Sequence, residues 1–372
     1  MINQSRILET FLTLVQTDTQ TKSEGRMADL LQARLEAMGF IVQRDDAGQR
    51  IGGETGNLIA RLKGTKGGMP LLLCAHMDRV SPGTGIKPQI KDGVITSDGT
   101  TILGADDAAG LAAILEGIQS ALEHGIDRPD LEVVFTIAEE GGLNGSKNMD
   151  FSLITAKMGY VLDSSGPVGV VINRAPAQTK VTYRVIGKAA HGGVEPEKGI
   201  NALYVAAHAL TRMKLGRIDA ETTANLGIAK GGTATNAVME TFEMKGDVRS
   251  LVMEKMEAQL QHMAEVFEQT AREFGARVER EEVFAYGPVN LQPGDPVLEL
   301  ASAAIRRIGL TPELRSTGGG SDANVLGTQG IAVCNLAVGY EGAHSVNERL
   351  PVKELERAGE LVYALIQEYA SR

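Results

Sequence analysis

From residue 40 to residue 138, short apolar runs of strand length alternate with a stretch of helical spacing, and this alternation narrows the fold more than any other feature. Phe40 to Arg44, Asn57 to Leu62, Pro70 to Ala75 and Leu131 to Ala138 read as strands, and Asp107 to His124 reads as a helix of small residues. Upstream, Ser5 to Val15 and Gly25 to Met38 carry apolar residues three and four positions apart, with Gly39 where a helix C-cap belongs. Strands separated by helices pair in parallel through crossovers, so the expected fold class is α/β with a doubly wound, mainly parallel sheet.

The pattern then changes. Thr179 to Ile186 alternates polar and apolar residues, as a strand with one wet face does. A helix over Asn201 to Met213, strands near Thr223 to Ile228 and Thr241 to Leu251, and a long helix from Met253 to Phe274 come next. That is the β-α-β-β-α-β order of a ferredoxin-like insertion. After Pro288 the chain returns to helix, Pro296 to Ile308, and it ends in a helix over Val352 to Tyr369. A chain of 372 residues exceeds the size at which one core usually keeps growing. The simplest partition is a discontinuous domain of residues 1–177 and 286–372, interrupted by a smaller one of residues 178–285.

Composition restricts the partners. The formal charge is −10, and the acidic residues are spread along the chain rather than gathered in a tail, which argues against nucleic acid. No stretch approaches the roughly 18 uninterrupted apolar residues of a membrane-spanning helix, so no membrane partner is expected. The first residues mix Arg6 and Glu9 with apolar positions and read as a helix rather than a secretion signal. Cys74 and Cys334 each lie inside an apolar run, so buried thiols and a cytoplasmic home are expected.

The residues with chemistry sit at the ends of apolar runs: His76 in LLLCAHMD, Asp106 in LGADDAAG, Glu139 and Glu140 in FTIAEEGG, Asp163 in YVLDSSG, and His344 in GYEGAHSVNE. In an open parallel sheet that edge is where ligands bind. Taken singly, each has an ordinary reading: a helix N-cap for Asp106 and Asp107, a solvated loop pair for Glu139 and Glu140, a turn residue for Asp163. Together, two imidazoles and three carboxylates are what a pair of divalent zinc ions needs, one carboxylate bridging. The adjacent glutamates allow one to bind metal while its neighbour stays free as a base.

The order HMD, GADD, AEEGG, LDSSG, GAHS, over nearly the whole chain, resembles the di-zinc metallopeptidase family that contains peptidase T, dipeptidase V, carnosinases and aminoacylases. SDGTTILGADD at Ser97 to Asp107 and TGGGSDANV at Thr317 to Val325 are similar to its peptidase T-like branch. The resemblance implies a cofactor of two zinc ions per subunit, with cobalt or manganese accepting the same donors. It implies that Asp106 bridges, that His76 and Asp163 complete one site, and that Glu140 and His344 complete the other. Glu139 would be the general base and acid, and Asp78 the carboxylate that orients the His76 ring. Two departures are visible: Arg79 stands where the family commonly has Thr, and Ala108 where many relatives have Lys.

The resemblance also makes residues 178–285 a lid and dimerisation domain, and points to a homodimer. In that domain His191 in GKAAHGG would stabilise an oxyanion, and Arg249 in KGDVRSL would fork onto a substrate carboxylate. Asn236 in GGTATNAV would face substrate, and the glycines around Gly319 would let backbone approach it. Surface-strand, turn and flexible-loop roles are the ordinary alternatives for Arg249, Asn236 and the glycines. The implied activity is zinc-dependent hydrolysis of the amide bond of short peptides, foremost as a tripeptide aminopeptidase. The alternatives are an N-acyl amino acid deacylase or a carboxypeptidase on the same site, and, in another class, a non-catalytic dimerising or binding module. His124, His208 and His262 read as structural.

Overall fold

Four strands form the middle of the principal sheet, in the order Leu131–Thr136, Leu71–His76, Met158–Ser164 and Ala332–Ala337, and every neighbouring pair is parallel. The first two are buried at all six positions, which is why they read as continuous apolar runs rather than alternating ones. Antiparallel strands flank them: Leu58–Leu62 and then Ile41–Arg44 on one side, Val170–Ala175 on the other. The sheet is thus mainly parallel at its centre, as expected, with antiparallel margins that the helix-strand alternation did not distinguish.

The computed structural model describes Met1–Ser371 and falls into two compact units. One comprises Met1–Arg174, Val289–Thr317 and the segment from Ser321 onward; the other comprises Ala175–Pro288 with Gly318–Gly320. Among the described residues no helix is long and apolar enough to cross a membrane.

Register brings the carboxyl ends of the central strands level. His76 lies beside Thr136, Cys74 beside Val161, and Ala337 beside Ser164. Asp78, Glu139 and Asp163, which stand at or just past those strand ends, therefore share one rim. The helix Ala105–Glu123 packs on Leu71–His76 and Met158–Ser164 and is buried along nearly its whole length. Its small residues have a reason: a Cβ on Gly110 would stand 2.0 Å from the Leu162 carbonyl oxygen, so only glycine permits this approach. The helix is broken at its start, where Asp106 (ψ 101°) and Asp107 (ψ 34°) leave helical conformation.

The second unit holds an antiparallel sheet in the order Gly216–Arg217, Thr222–Gly231, Thr241–Ser250, Ala177–Ile186, Arg277–Tyr286. Helices Ala202–Arg212 and Met253–Glu273 cover one face, and Tyr183 stacks on Phe267 at 4.4 Å between ring centroids. This is the ferredoxin-like arrangement. The edge strand Arg277–Tyr286, RVEREEVFAY, is heavily charged, which discourages pairing with other chains along that edge.

Candidate active site

His76 ends its strand with the ring buried, and its Nε2 stands 3.0 Å from Asp106 Oδ1 and 3.6 Å from Asp163 Oδ1. His344 reaches the same place from a loop in which its own φ is +61°; its Nε2 lies 2.8 Å from Glu140 Oε1 and 3.3 Å from Asp106 Oδ2. Each oxygen of Asp106 thus faces a different imidazole. His76, Asp106 and Glu140 offer donor atoms within 4.8 Å of one another, and so do His76, Asp107 and Asp163; either triad can hold a metal ion. Asp107 is the weaker candidate of the adjacent pair, because backbone N–H groups already occupy both its oxygens, His76 on Oδ2 at 3.1 Å and Gly110 on Oδ1 at 3.1 Å.

The charges are poorly matched to a dry pocket. Burial, reinforced by neighbouring acids including Asp106, pushes the Asp163 carboxyl up to about 7 even though His76 pulls it down. Burial and then Asp163 hold Glu139 well above the carboxylate range. Burial also acts on Asp106, but His344 and His76 prevail and hold it well below its ordinary value. Hydrogen bonds to Asp106 and then Glu140 raise His344 to about 10. On His76, burial opposes a charge and the bonds to Asp106 and Asp163 overcome it. The surrounding carboxylates thus bias both imidazoles toward the charged form. A divalent cation would supply the same charge while leaving the imidazole lone pairs as donors, so the donor set fits such an ion.

Asp78 meets the His76 ring with both its main chain and its carboxylate. Its main-chain oxygen takes His76 Nδ1 at 2.9 Å, while its carboxylate is 3.6 Å away. The carboxylate also accepts from the Glu139 N–H at 2.8 Å and the Thr21 hydroxyl at 2.7 Å. Fixing the ring through Nδ1 still directs Nε2 toward the carboxylates.

Several residues that the sequence motifs did not single out hold the others in place. Asn335 brackets Asp163, accepting from its N–H at 2.9 Å and donating to its carbonyl at 2.7 Å, and the Tyr340 hydroxyl donates to Asp163 Oδ1 at 3.3 Å. Buried Glu348 accepts from the N–H groups of Gly104 at 2.7 Å and Asp106 at 3.0 Å, and burial raises it to about 7. The only signals for these were Asn335 inside an apolar run and Glu348 in HSVNE. The departure Arg79 is accounted for: it is buried and caps the helix Gln4–Gln16 by donating to Val15 O at 2.7 Å and Leu14 O at 3.0 Å. Its guanidinium lies against Gly104, where any side chain would meet it at 3.1 Å. Ala108 is core.

In the second unit, His191 and Asn236 lie on neighbouring loops joined by the Gly192 N–H donating to the Asn236 carbonyl at 2.7 Å, and both side chains are exposed. Arg249 is held by Asp247, at 3.0 Å, and donates to Gly318 O at 3.3 Å, next to Gly319. The remaining histidines pack: His124 caps its helix on Ser120 O, His208 contacts Tyr204 and Phe274, and His262 accepts from the Lys214 N–H.

A doubly wound α/β unit with a ferredoxin-like insertion, carrying histidines and carboxylates at its strand ends, defines a class of two-domain hydrolases. Within it, residues 72–368 match peptidase family M20/M25/M40, and the chain belongs to that family. It is 48% identical over 370 residues to the YqjE protein of Bacillus subtilis (strain 168), with 100% of both chains covered. The crystal structure of aminopeptidase PepT from Bacillus cereus ATCC 10987 is similar at TM-score 0.94 and 48% identity over 99% of each chain. That of a tripeptidase, SAV1512, from Staphylococcus aureus subsp. aureus Mu50 is similar at TM-score 0.95 and 39% identity over 100% of each chain.

Proposed function

We propose that this chain is a two-zinc aminopeptidase that removes the amino-terminal residue of tripeptides, acting in the cytoplasm as a homodimer. The observation that carries the chemistry is Asp106, whose two oxygens face the Nε2 atoms of His76 and His344 at 3.0 and 3.3 Å. One ion would be held by His76, Asp106 and Asp163, the other by Asp106, Glu140 and His344. Zinc bound there supplies Lewis acidity toward water and the amide carbonyl. Glu139, free of any ligand role, accepts the proton of the attacking water on its carboxylate and returns it to the departing amine nitrogen.

The second unit supplies recognition in this reading. His191 donates to the developing oxyanion, Arg249 meets the peptide carboxylate, Asn236 lies beside substrate, and Gly319 offers close backbone approach. The choice of tripeptides is supported by similarity to the Bacillus cereus aminopeptidase and the Staphylococcus aureus tripeptidase at 48% and 39% identity. A product-resolved assay of the zinc-loaded protein against Leu-Gly-Gly, Leu-Gly and N-acetylleucine tests it. Free leucine and diglycine from the tripeptide are expected; free glycine and Leu-Gly would make the protein a carboxypeptidase, and turnover confined to the N-acetyl substrate a deacylase.

A further inference from the structure

Four consecutive residues leading to Glu139 are each tied to a side chain from a different part of the chain. The Thr136 hydroxyl donates to Asp322 Oδ2 at 2.5 Å, and the Ile137 N–H donates to Asn57 Oδ1 at 3.0 Å. The Ala138 N–H donates to Glu24 Oε1 at 3.0 Å, and the Glu139 N–H to Asp78 Oδ1 at 2.8 Å. All four acceptors are at most 1% exposed. They are anchored in turn: Asn57 donates to Asp45 at 2.7 Å, Asp78 accepts from Thr21, and Glu24 accepts from the Lys22 N–H at 2.8 Å.

Glu24 acts at the decisive point of this row. Ala138 has φ +48°, a left-handed conformation uncommon for a residue with a Cβ, and one that persists only where surroundings impose it. The turn it makes separates two adjacent glutamates, so that Glu140 meets His344 while Glu139 stays off that imidazole. The Ala138 N–H is buried, and Glu24 is its partner. The second Glu24 oxygen, Oε2, is buried without a hydrogen-bond partner, so the contact to Ala138 needs an acceptor at Oε1 and not a carboxylate as such.

We propose that Glu24 is a positioning residue for catalysis, holding the left-handed turn at Ala138 that aims Glu139 at the reacting water. The proposal rests on Glu139 being the base. Glu24→Asp, one methylene too short to reach Ala138, and Glu24→Gln, which retains the acceptor, separate the roles. On zinc-loaded protein with a tripeptide, Glu24→Asp is expected to lower kcat by about tenfold or more at unchanged KM. Metal stoichiometry and the cobalt-substituted absorption spectrum should stay unchanged, and Glu24→Gln should retain most of the turnover. Added to Glu139→Gln, Glu24→Asp should cause no further loss, because the residue it positions is already gone. An equal loss in both backgrounds, loss of metal, or a fall in Glu24→Gln as deep as in Glu24→Asp would overturn the proposal. Should Glu24→Asp not fold, Glu24→Met, of similar size and without an acceptor, carries the same expectations. Undiminished turnover by Glu139→Gln alone would identify the base assignment as the failing premise.

Discussion

Glu139 and Glu140 are neighbours with different surroundings, and their contrast gives a residue-scale test. Glu140 Oε1 stands 2.8 Å from the His344 ring, whereas the Glu139 backbone N–H is pinned by Asp78. Glu139→Gln is expected to keep both metals and lose at least about a hundredfold in kcat, and Glu140→Gln to lose metal; turnover and bound zinc measured on both variants decide. The reverse pattern would exchange their roles. Among the candidate ligands, His76, Glu140 and Asp163 stand at or after apolar strands whose parallel register carries them to one rim, whereas Asp106 comes from the start of a helix and His344 from a loop. Glu24, Asn57 and Asp322 were not legible, because their partners are backbone N–H and hydroxyl groups 114, 80 and 186 positions away. Such contacts leave no local pattern. Asp78 was legible as a neighbour of the His76 ring, but its bond to the Glu139 N–H, 61 positions away, was not.

At the scale of elements, the helix Ala105–Glu123 links packing to the site. Gly110 touches the carbonyl of Leu162, the residue before Asp163. Gly110→Ala must push helix and strand apart, at about 1–3 kcal/mol of stability, and should weaken zinc binding as Asp163 moves. Gly327, in the helix Asp322–Thr328, has nothing near its missing Cβ, so Gly327→Ala should instead raise stability by about 0.5–1 kcal/mol. Denaturant midpoints of the two variants check the opposite signs. Long elements were readable from periodicity: the helix expected over Val352 to Tyr369 spans Val352–Ala370. Short ones were not. The three-residue strands Gln89–Lys91, Val94–Thr96 and Arg349–Pro351 form one small sheet from distant parts of the sequence, and none is long enough to display a period. The same brevity hid the helix Ala47–Ile51, and the break at Asp106 and Asp107 lay inside what reads as a regular helix start.

For the whole molecule, metals bound at the rim of a sheet leave a core that is complete without them. Chelation should therefore leave the circular dichroism of a folded α/β protein and lower its thermal midpoint, because a ligand that binds only the native state stabilises it by mass action. Collapse of the fold on chelation would mean instead that the ions are structural. Assembly gives a second whole-molecule test. If His191 acts across a two-fold dimer, mixing inactive His191→Ala with inactive Glu139→Gln under subunit exchange should restore activity, since some mixed dimers then contain one complete site. Absence of recovery despite demonstrated exchange would place His191 in its own subunit's site. The most direct measurement is a titration of chelated, metal-free protein with zinc, with tripeptide hydrolysis and bound metal recorded together. A two-zinc mechanism predicts no turnover before addition and recovery that saturates at two zinc ions per chain; full turnover by the verified metal-free protein would contradict it.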